Sequence, residues 1–96
     1  MAAYSLSAKA AVDLENIYEY TILNFGLEQA RVYLSDLHER CGMLAEHPMR
    51  GRSASQFAPG LRRLEYQSHV AFYLPKENGV RIVRVLQQSM DVKKHL

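Results

Sequence analysis

HVAFYLPKENGVRIVRVLQ, residues 69–87, decides how the rest of the chain is arranged. Val70 to Leu74 is apolar at every position, the pattern of a strand covered on both faces. Lys76-Glu77-Asn78-Gly79 then supplies Asn-Gly, a pair that turns a chain back on itself because both residues tolerate positive φ. Val80 to Gln87 reads as the returning strand. Strict alternation places Val83 and Val85 on one face and Arg84 on the other with Ile82 and Leu86. His69 to Pro75 and Val80 to Gln87 therefore form a central hairpin, and Leu61 to Tyr66 reads as a third strand ahead of it.

Upstream of these strands, HPMRGRSASQFAPG (residues 47–60) has no hydrophobic period and is rich in Gly, Pro and Ser, as a long surface loop would be. A helix is predicted before it, from Leu27 to Glu46, on the apolar stripe Ala30, Tyr33, Leu34, Leu37, Cys41, Leu44 and Ala45. Pro48 disfavours helical geometry at His47 and closes it. An earlier helix carries Ala10, Leu14, Ile17, Tyr18 and Thr21 at helical spacing, with Ser7 as its N-cap and Gly26 as its terminator. Tyr4-Ser5-Leu6 reads as an edge strand. The order is β-α-α-β-β-β, an α+β domain over residues 1–96. A helical hairpin packs on one face of a small, mainly antiparallel sheet, and the other face lacks an obvious cover within the chain.

With 48% apolar and 23% charged residues the composition is that of an ordinary globular protein. The opening MAAYSLSAKA holds no apolar stretch long enough for a signal peptide. Val70 to Leu74, the longest apolar run, falls far short of the ~20 residues of a membrane span. Cys41 stands alone, has no partner for an internal disulfide, and reads as a small hydrophobe on the helix stripe. The cytoplasm is the expected compartment. His38, His47, His69 and His95 lack metal-ligand spacing, so neither metal nor other cofactor is expected. Charge is asymmetric. Residues 1–49 carry three basic against seven acidic groups, net −4; residues 50–96 carry nine against three, net +6. The second half could face something anionic, either nucleic acid or an acidic protein partner, or the halves could simply complement each other.

The order of elements and several local sequences resemble the RelE/ParE superfamily of toxin–antitoxin toxins, and within it the ParE branch. The resemblance rests on Tyr4-Ser5-Leu6-Ser7 with Ala10, Asp13-Leu14 and Ile17-Tyr18-Glu19-Tyr20; on Glu46-His47-Pro48 with Gly51-Arg52; on Pro59-Gly60-Leu61-Arg62-Arg63-Leu64; on Ser68-His69-Val70 with Phe72-Tyr73; and on Arg84-Val85-Leu86, Gln88-Ser89-Met90-Asp91 and His95-Leu96. It implies a growth-inhibiting, plasmid-stabilising toxin without an enzymatic activity. Its partner would be a ParD-like antitoxin, a ribbon-helix-helix protein whose disordered C-terminal segment wraps the toxin. Its target would be the A subunit of DNA gyrase, with no membrane partner and no direct sequence-specific nucleic-acid binding. On this reading Arg62, Arg63, Phe72, Arg84 and Leu86 are the antitoxin-binding candidates. Arg84, Met90, Asp91, Lys93 and Lys94 are the target-binding candidates. Gln87 departs from the family pattern, which commonly has His there, and Gln67 replaces a small residue.

Two alternatives stay open on the residues themselves, a ribosome-dependent mRNA endonuclease of RelE type and a degenerate, non-toxic binding module. Cleavage of RNA needs a base, an acid and cations about the phosphate. Arg62, Arg63 and Arg84 could supply the cations, and His69, Tyr73 or His95 the proton transfer. Leu86-Gln87-Gln88-Ser89-Met90 offers only amides and a hydroxyl, which do not exchange protons near neutral pH. Arg62 and Arg63 point to opposite faces of a strand, where one could pair with Glu15 or Glu19. Arg84 would either be buried against a carboxylate or stand exposed on the open face, the second being favoured because a lone buried charge is costly.

Overall fold

The structure, a computed structural model, describes residues 3–96; Met1 and Ala2, at the head of the opening segment, lie outside it. The elements run β1 (Ala3–Leu6), α1 (Ala8–Phe25), α2 (Leu27–Glu46), β2 (Arg52–Ser53), β3 (Arg62–Tyr66), β4 (His69–Lys76), β5 (Gly79–Gln87) and α3 (Val92–His95). The sheet order is β1-β5-β4-β3-β2, with β1 parallel to β5 and all other neighbours antiparallel. The α+β expectation holds. To the six expected elements the structure adds the two-residue β2 inside the predicted loop and the short α3 in the basic tail.

Local chemistry accounts for the helical hairpin. Ser7 is extended and its Oγ accepts the Ala10 N–H at 3.0 Å, so α1 begins on a capped turn. Gly26, at φ 94°, joins α1 to α2 without a linker, and its N–H returns to the Ile22 carbonyl. Ile17, Tyr33, Leu37 and Leu44 of the hairpin meet Ala71, Tyr73, Val80, Ile82 and Val85 of the sheet in one apolar layer. Full burial of side chains of this size stabilises by roughly 1.5–3 kcal/mol each. Among the described residues, no helix is long and apolar enough to cross a membrane.

Strict alternation along β5 does not hold. Phe72 pairs with Arg84 and Tyr73 with Ile82, which leaves Val83 as an extra residue in the ladder. This bulge shifts the pleat by one. Ile82 and Val85 both enter the helix-side core, while Val83 and Leu86 join the opposite face.

The opposite face is not open either. Ala54, Phe57, Ala58 and Leu61 of the segment between β2 and β3, with Val92 of α3, cover Val70, Phe72 and Leu86. Phe72 is 0% and Leu86 2% exposed. Three backbone bonds fold this segment on itself, from Ala54 N–H to Leu61 O, Phe57 N–H to Ala54 O, and Leu61 N–H to Ala58 O.

Tyr73 and its cross-strand partner Arg62 tie down the chain ahead of β2. The Tyr73 hydroxyl accepts the Gly51 N–H at 3.0 Å and donates to the Pro48 carbonyl at 2.7 Å. Arg62 donates to the carbonyls of Gly51 and Met49. A Cβ at Gly51 would press on the Tyr73 hydroxyl and lie 2.7 Å from the Arg63 carbonyl. Tyr73→Phe should therefore cost about 2–3 kcal/mol in urea unfolding, since it strands the buried Gly51 N–H and the half-buried Pro48 carbonyl. A loss below about 0.5 kcal/mol, the scatter of ordinary surface changes, would mean that the loop finds other partners.

Candidate functional site

The target-binding candidates gather at the end of the sheet where β4 begins and β5 finishes. There β1 has already left the edge of β5, and α1 takes its place. Ser7 Oγ donates to the Val83 carbonyl at 2.6 Å, and the Asp13 carboxylate accepts the Val85 N–H at 2.9 Å. The cap and first two turns of α1 thus satisfy backbone groups that a longer β1 would have paired.

Arg84 completes this junction. Its Nε and Nη2 each lie 2.8 Å from one Asp13 oxygen, a two-pronged ion pair, and its Nη1 donates to the His95 carbonyl of α3. The hydrogen bonds to the Asp13 carboxylate raise the Arg84 pKa further. The expected exposed Arg84 is thus corrected. The pair is largely buried, its side chains 15% and 11% exposed, and the guanidinium ties α1 and α3 to its own strand.

The other arginines also differ from expectation. Neither Arg62 nor Arg63 meets Glu15 or Glu19. Arg62 holds the Met49 and Gly51 carbonyls, and Arg63 shares Glu65 (3.0 Å) with Arg52 of the neighbouring strand. Phe72 and Leu86, expected on an open face, lie beneath residues 54–61, so neither is presented to a partner in this arrangement. The target-binding candidates other than Arg84 are more accessible. Met90, Asp91, Lys93 and Lys94 are exposed, and Asp91 caps α3 by accepting the Lys93 N–H.

His69, at the head of the central strand, sits in a built environment. It is 8% exposed, and its Nδ1 lies 2.6 Å from the Tyr33 hydroxyl. Tyr33 packs on Tyr66, whose hydroxyl donates to Asp36 at 2.9 Å while Arg40 lies over its ring. Burial lowers the His69 pKa from its ordinary 6.5. The folded state thus binds the proton more weakly than the unfolded one, and stability is lost as pH falls from 6.5 toward the depressed value. The slope should reach about 1.4 kcal/mol per pH unit at most. Urea midpoints at pH 7.5 and 5.5 check this: the drop should shrink in His69→Gln, and an equal drop in both would assign it elsewhere. Burial also pushes the Cys41 thiol up to about 11, consistent with a core hydrophobe.

Proton-transfer candidates do not converge on free cations here. Tyr73 is fully buried and its hydroxyl is engaged with the 48–51 backbone. His95 and His69 line a hollow with Arg84, whose guanidinium is already on Asp13. Among the described residues no cluster of His, Cys, Asp and Glu could hold a metal ion. Sequence reasoning missed Asp13 as the partner of Arg84 and Tyr33 as the partner of His69. The first had a signal, since a cation in an apolar strand calls for a carboxylate.

Comparison with known proteins agrees with this architecture. Residues 4–92 match the family described as the ParE toxin of the type II toxin–antitoxin system parDE. The chain is 42% identical over 98 residues to toxin ParE1 of Caulobacter vibrioides, covering 100% of this chain and 99% of that protein. It is 38% identical to toxin ParE1 of Mycobacterium tuberculosis, covering 97% and 96%. A solved structure of the chromosomal ParDE toxin–antitoxin system from P. aeruginosa superposes with a TM-score of 0.76 at 26% identity, over 91% of this chain and 96% of that one. With strand order, helical hairpin and full-length likeness in agreement, the chain belongs to the ParE family, the toxins of type II toxin–antitoxin systems.

Proposed function

We propose that this toxin acts in the cytoplasm by binding the A subunit of DNA gyrase, without catalysing a reaction of its own, and that a ParD-like antitoxin neutralises it. The observation that carries the non-enzymatic reading is the commitment of Arg84. The cation nearest the hollow's histidines is engaged by Asp13 and by the His95 carbonyl. A phosphoryl cleavage site needs such charge free for the transition state.

The antitoxin's apolar anchors are best received on the helical hairpin. Tyr20, Leu23, Phe25, Leu27 and Val32 are all about half exposed or more there, with Leu23 at 85%. A chain that orders on binding can lay spaced apolar residues along such a surface. Arg52 and Arg63, sharing the single carboxylate of Glu65, offer an acidic antitoxin residue a second point of attachment.

Two measurements test the proposal. Purified toxin should block supercoiling by gyrase and accumulate cleaved DNA; if it does neither, gyrase is not the target. Mixing it with a ParD-like protein should give a complex at micromolar concentration or below, and the absence of one would remove the antitoxin assignment. Translating ribosomes supply the control, with mRNA cleavage abolished in His69→Ala being the result that would restore an enzymatic reading.

A further inference from the structure

Two adjoining hollows, of about 660 and 320 Å³, share Tyr20, His69 and Gln87 and form one cleft along the C-terminal half of α1. Their sizes fall within the range of specific ligand sites, roughly 300–1,000 Å³. One wall carries Asn16, Tyr20 and Phe25; the other carries Gln87, Gln88, Ser89 and Met90. Most of these side chains are neutral amides, hydroxyls or aromatic faces. Asp13 and Arg84, the charged pair at one end, neutralise each other.

The floor of the cleft is a buried group with a spare bond. His69 Nδ1 is taken by Tyr33, while its Nε2 hydrogen-bonds to nothing among the described residues. No enclosed side-chain nitrogen or oxygen among the described residues goes unpaired, so Nε2 opens onto the cleft. The Tyr33 hydroxyl has one proton and two acceptors in reach, Nδ1 at 2.6 Å and the Tyr66 carbonyl at 3.5 Å. With that proton assigned to the closer one, Nδ1, the neutral ring carries its own proton on Nε2 and donates into the cavity. Gln87 sits directly across the ladder from His69, and its amide also has no partner among the described residues.

Such a lining suits one kind of occupant. A nucleic acid needs cations along its phosphates, and an acidic peptide needs them too. What remains is a neutral acceptor flanked by apolar groups. We infer that the cleft receives an uncharged, extended segment of the toxin's target polypeptide, with one backbone carbonyl on His69 Nε2–H and the Gln87 amide and an apolar side chain against Tyr20 and Phe25. This deepens the protein-binding reading above and rests on it.

The test has a direct arm and a functional arm. In the first, the blocked peptide acetyl-Gly-Leu-Gly-Phe-Gly-amide and, separately, uridine monophosphate are titrated into labelled toxin by NMR. Saturable peptide shifts at the Gln87 side-chain amide and the His69 ring, with none from the nucleotide, are expected. Silence with the peptide, or shifts with the nucleotide alone, overturns the inference whatever the target proves to be. In the second arm, Gln87→Glu places a charge in the cleft at constant shape. It should keep the wild-type denaturation midpoint and weaken inhibition of gyrase at least tenfold. Wild-type inhibition by Gln87→Glu overturns the inference while leaving gyrase as the target. A wild-type toxin without effect on gyrase overturns the target assignment instead, and the peptide titration then decides the cleft.

Discussion

Arg84→Ala is expected to destabilise the protein by about 3–5 kcal/mol, a large share of the roughly 5–15 kcal/mol that holds a small domain folded. The cost comes less from the lost attraction than from what is left behind, a mostly buried Asp13 carboxylate with one backbone N–H as its only donor among the described residues. Asp13→Ala should cost at least as much, because it also strands the Val85 N–H on the β5 edge. Asp13→Asn keeps an acceptor for Val85 and should cost less than either. Replacing both partners by apolar residues, Asp13→Leu with Arg84→Met, should recover part of the loss, the unpaired Val85 N–H keeping the rest. Urea denaturation of Asp13→Leu, of Arg84→Met and of the two combined forms a cycle that isolates the pair. If Arg84→Ala stays within about 1 kcal/mol of wild type, the worth of an exposed ion pair, yet loses antitoxin binding, Arg84 faces a partner after all.

That outcome matters because Arg84 is the residue on which sequence and structure part most clearly. Four of the five strands to within one residue at each end, both long helices, the Ser7 cap and the Gly26 junction are legible, since each depends on a local pattern of apolar spacing or on one residue's conformational preference. The bulge at Val83 is not. Strand periodicity assumes an unbroken pleat, and nothing in Arg81-Ile82-Val83-Arg84 marks an inserted residue. The cover over Phe72 and Leu86 is invisible for a related reason. Ala54, Phe57, Ala58 and Leu61 have no period, because backbone turns and not a regular element place them. An antitoxin-binding set drawn from an assumed open face therefore includes two core residues. The cleft escapes for another cause: it is lined from five separated stretches of sequence, and only folding brings Tyr20, Tyr33, His69 and Gln87 together.

The Asn-Gly turn shows the same limit at a single residue, and it leads to the other large effect. Glu77 and Asn78 form the turn without positive φ, which falls on Gly79 at 142° as the first residue of β5. Gly79 faces Ala3 in the parallel β1–β5 pair, so closely that a Cβ would collide with the Ala3 carbonyl oxygen and lie 2.8 and 2.9 Å from its carbonyl carbon and nitrogen. All three are backbone atoms, which cannot swing aside as a side chain could. Gly79→Ala should therefore displace β1 and cost about 3 kcal/mol or more, with strain at φ contributing roughly 1–3 kcal/mol of it. Gly42 is the matched control. It lies inside α2, and a methyl group there would meet nothing within 4 Å. Gly42→Ala should stabilise by roughly 0.5–1 kcal/mol. Hydrogen exchange adds the spatial readout: the Ser7 N–H, bonded to the Ile82 carbonyl at 2.9 Å, should lose protection in Gly79→Ala and keep it in Gly42→Ala. Protection retained in both would mean that β1 shifts along β5 without detaching, and that α1 keeps its hold on the Asp13–Arg84 junction.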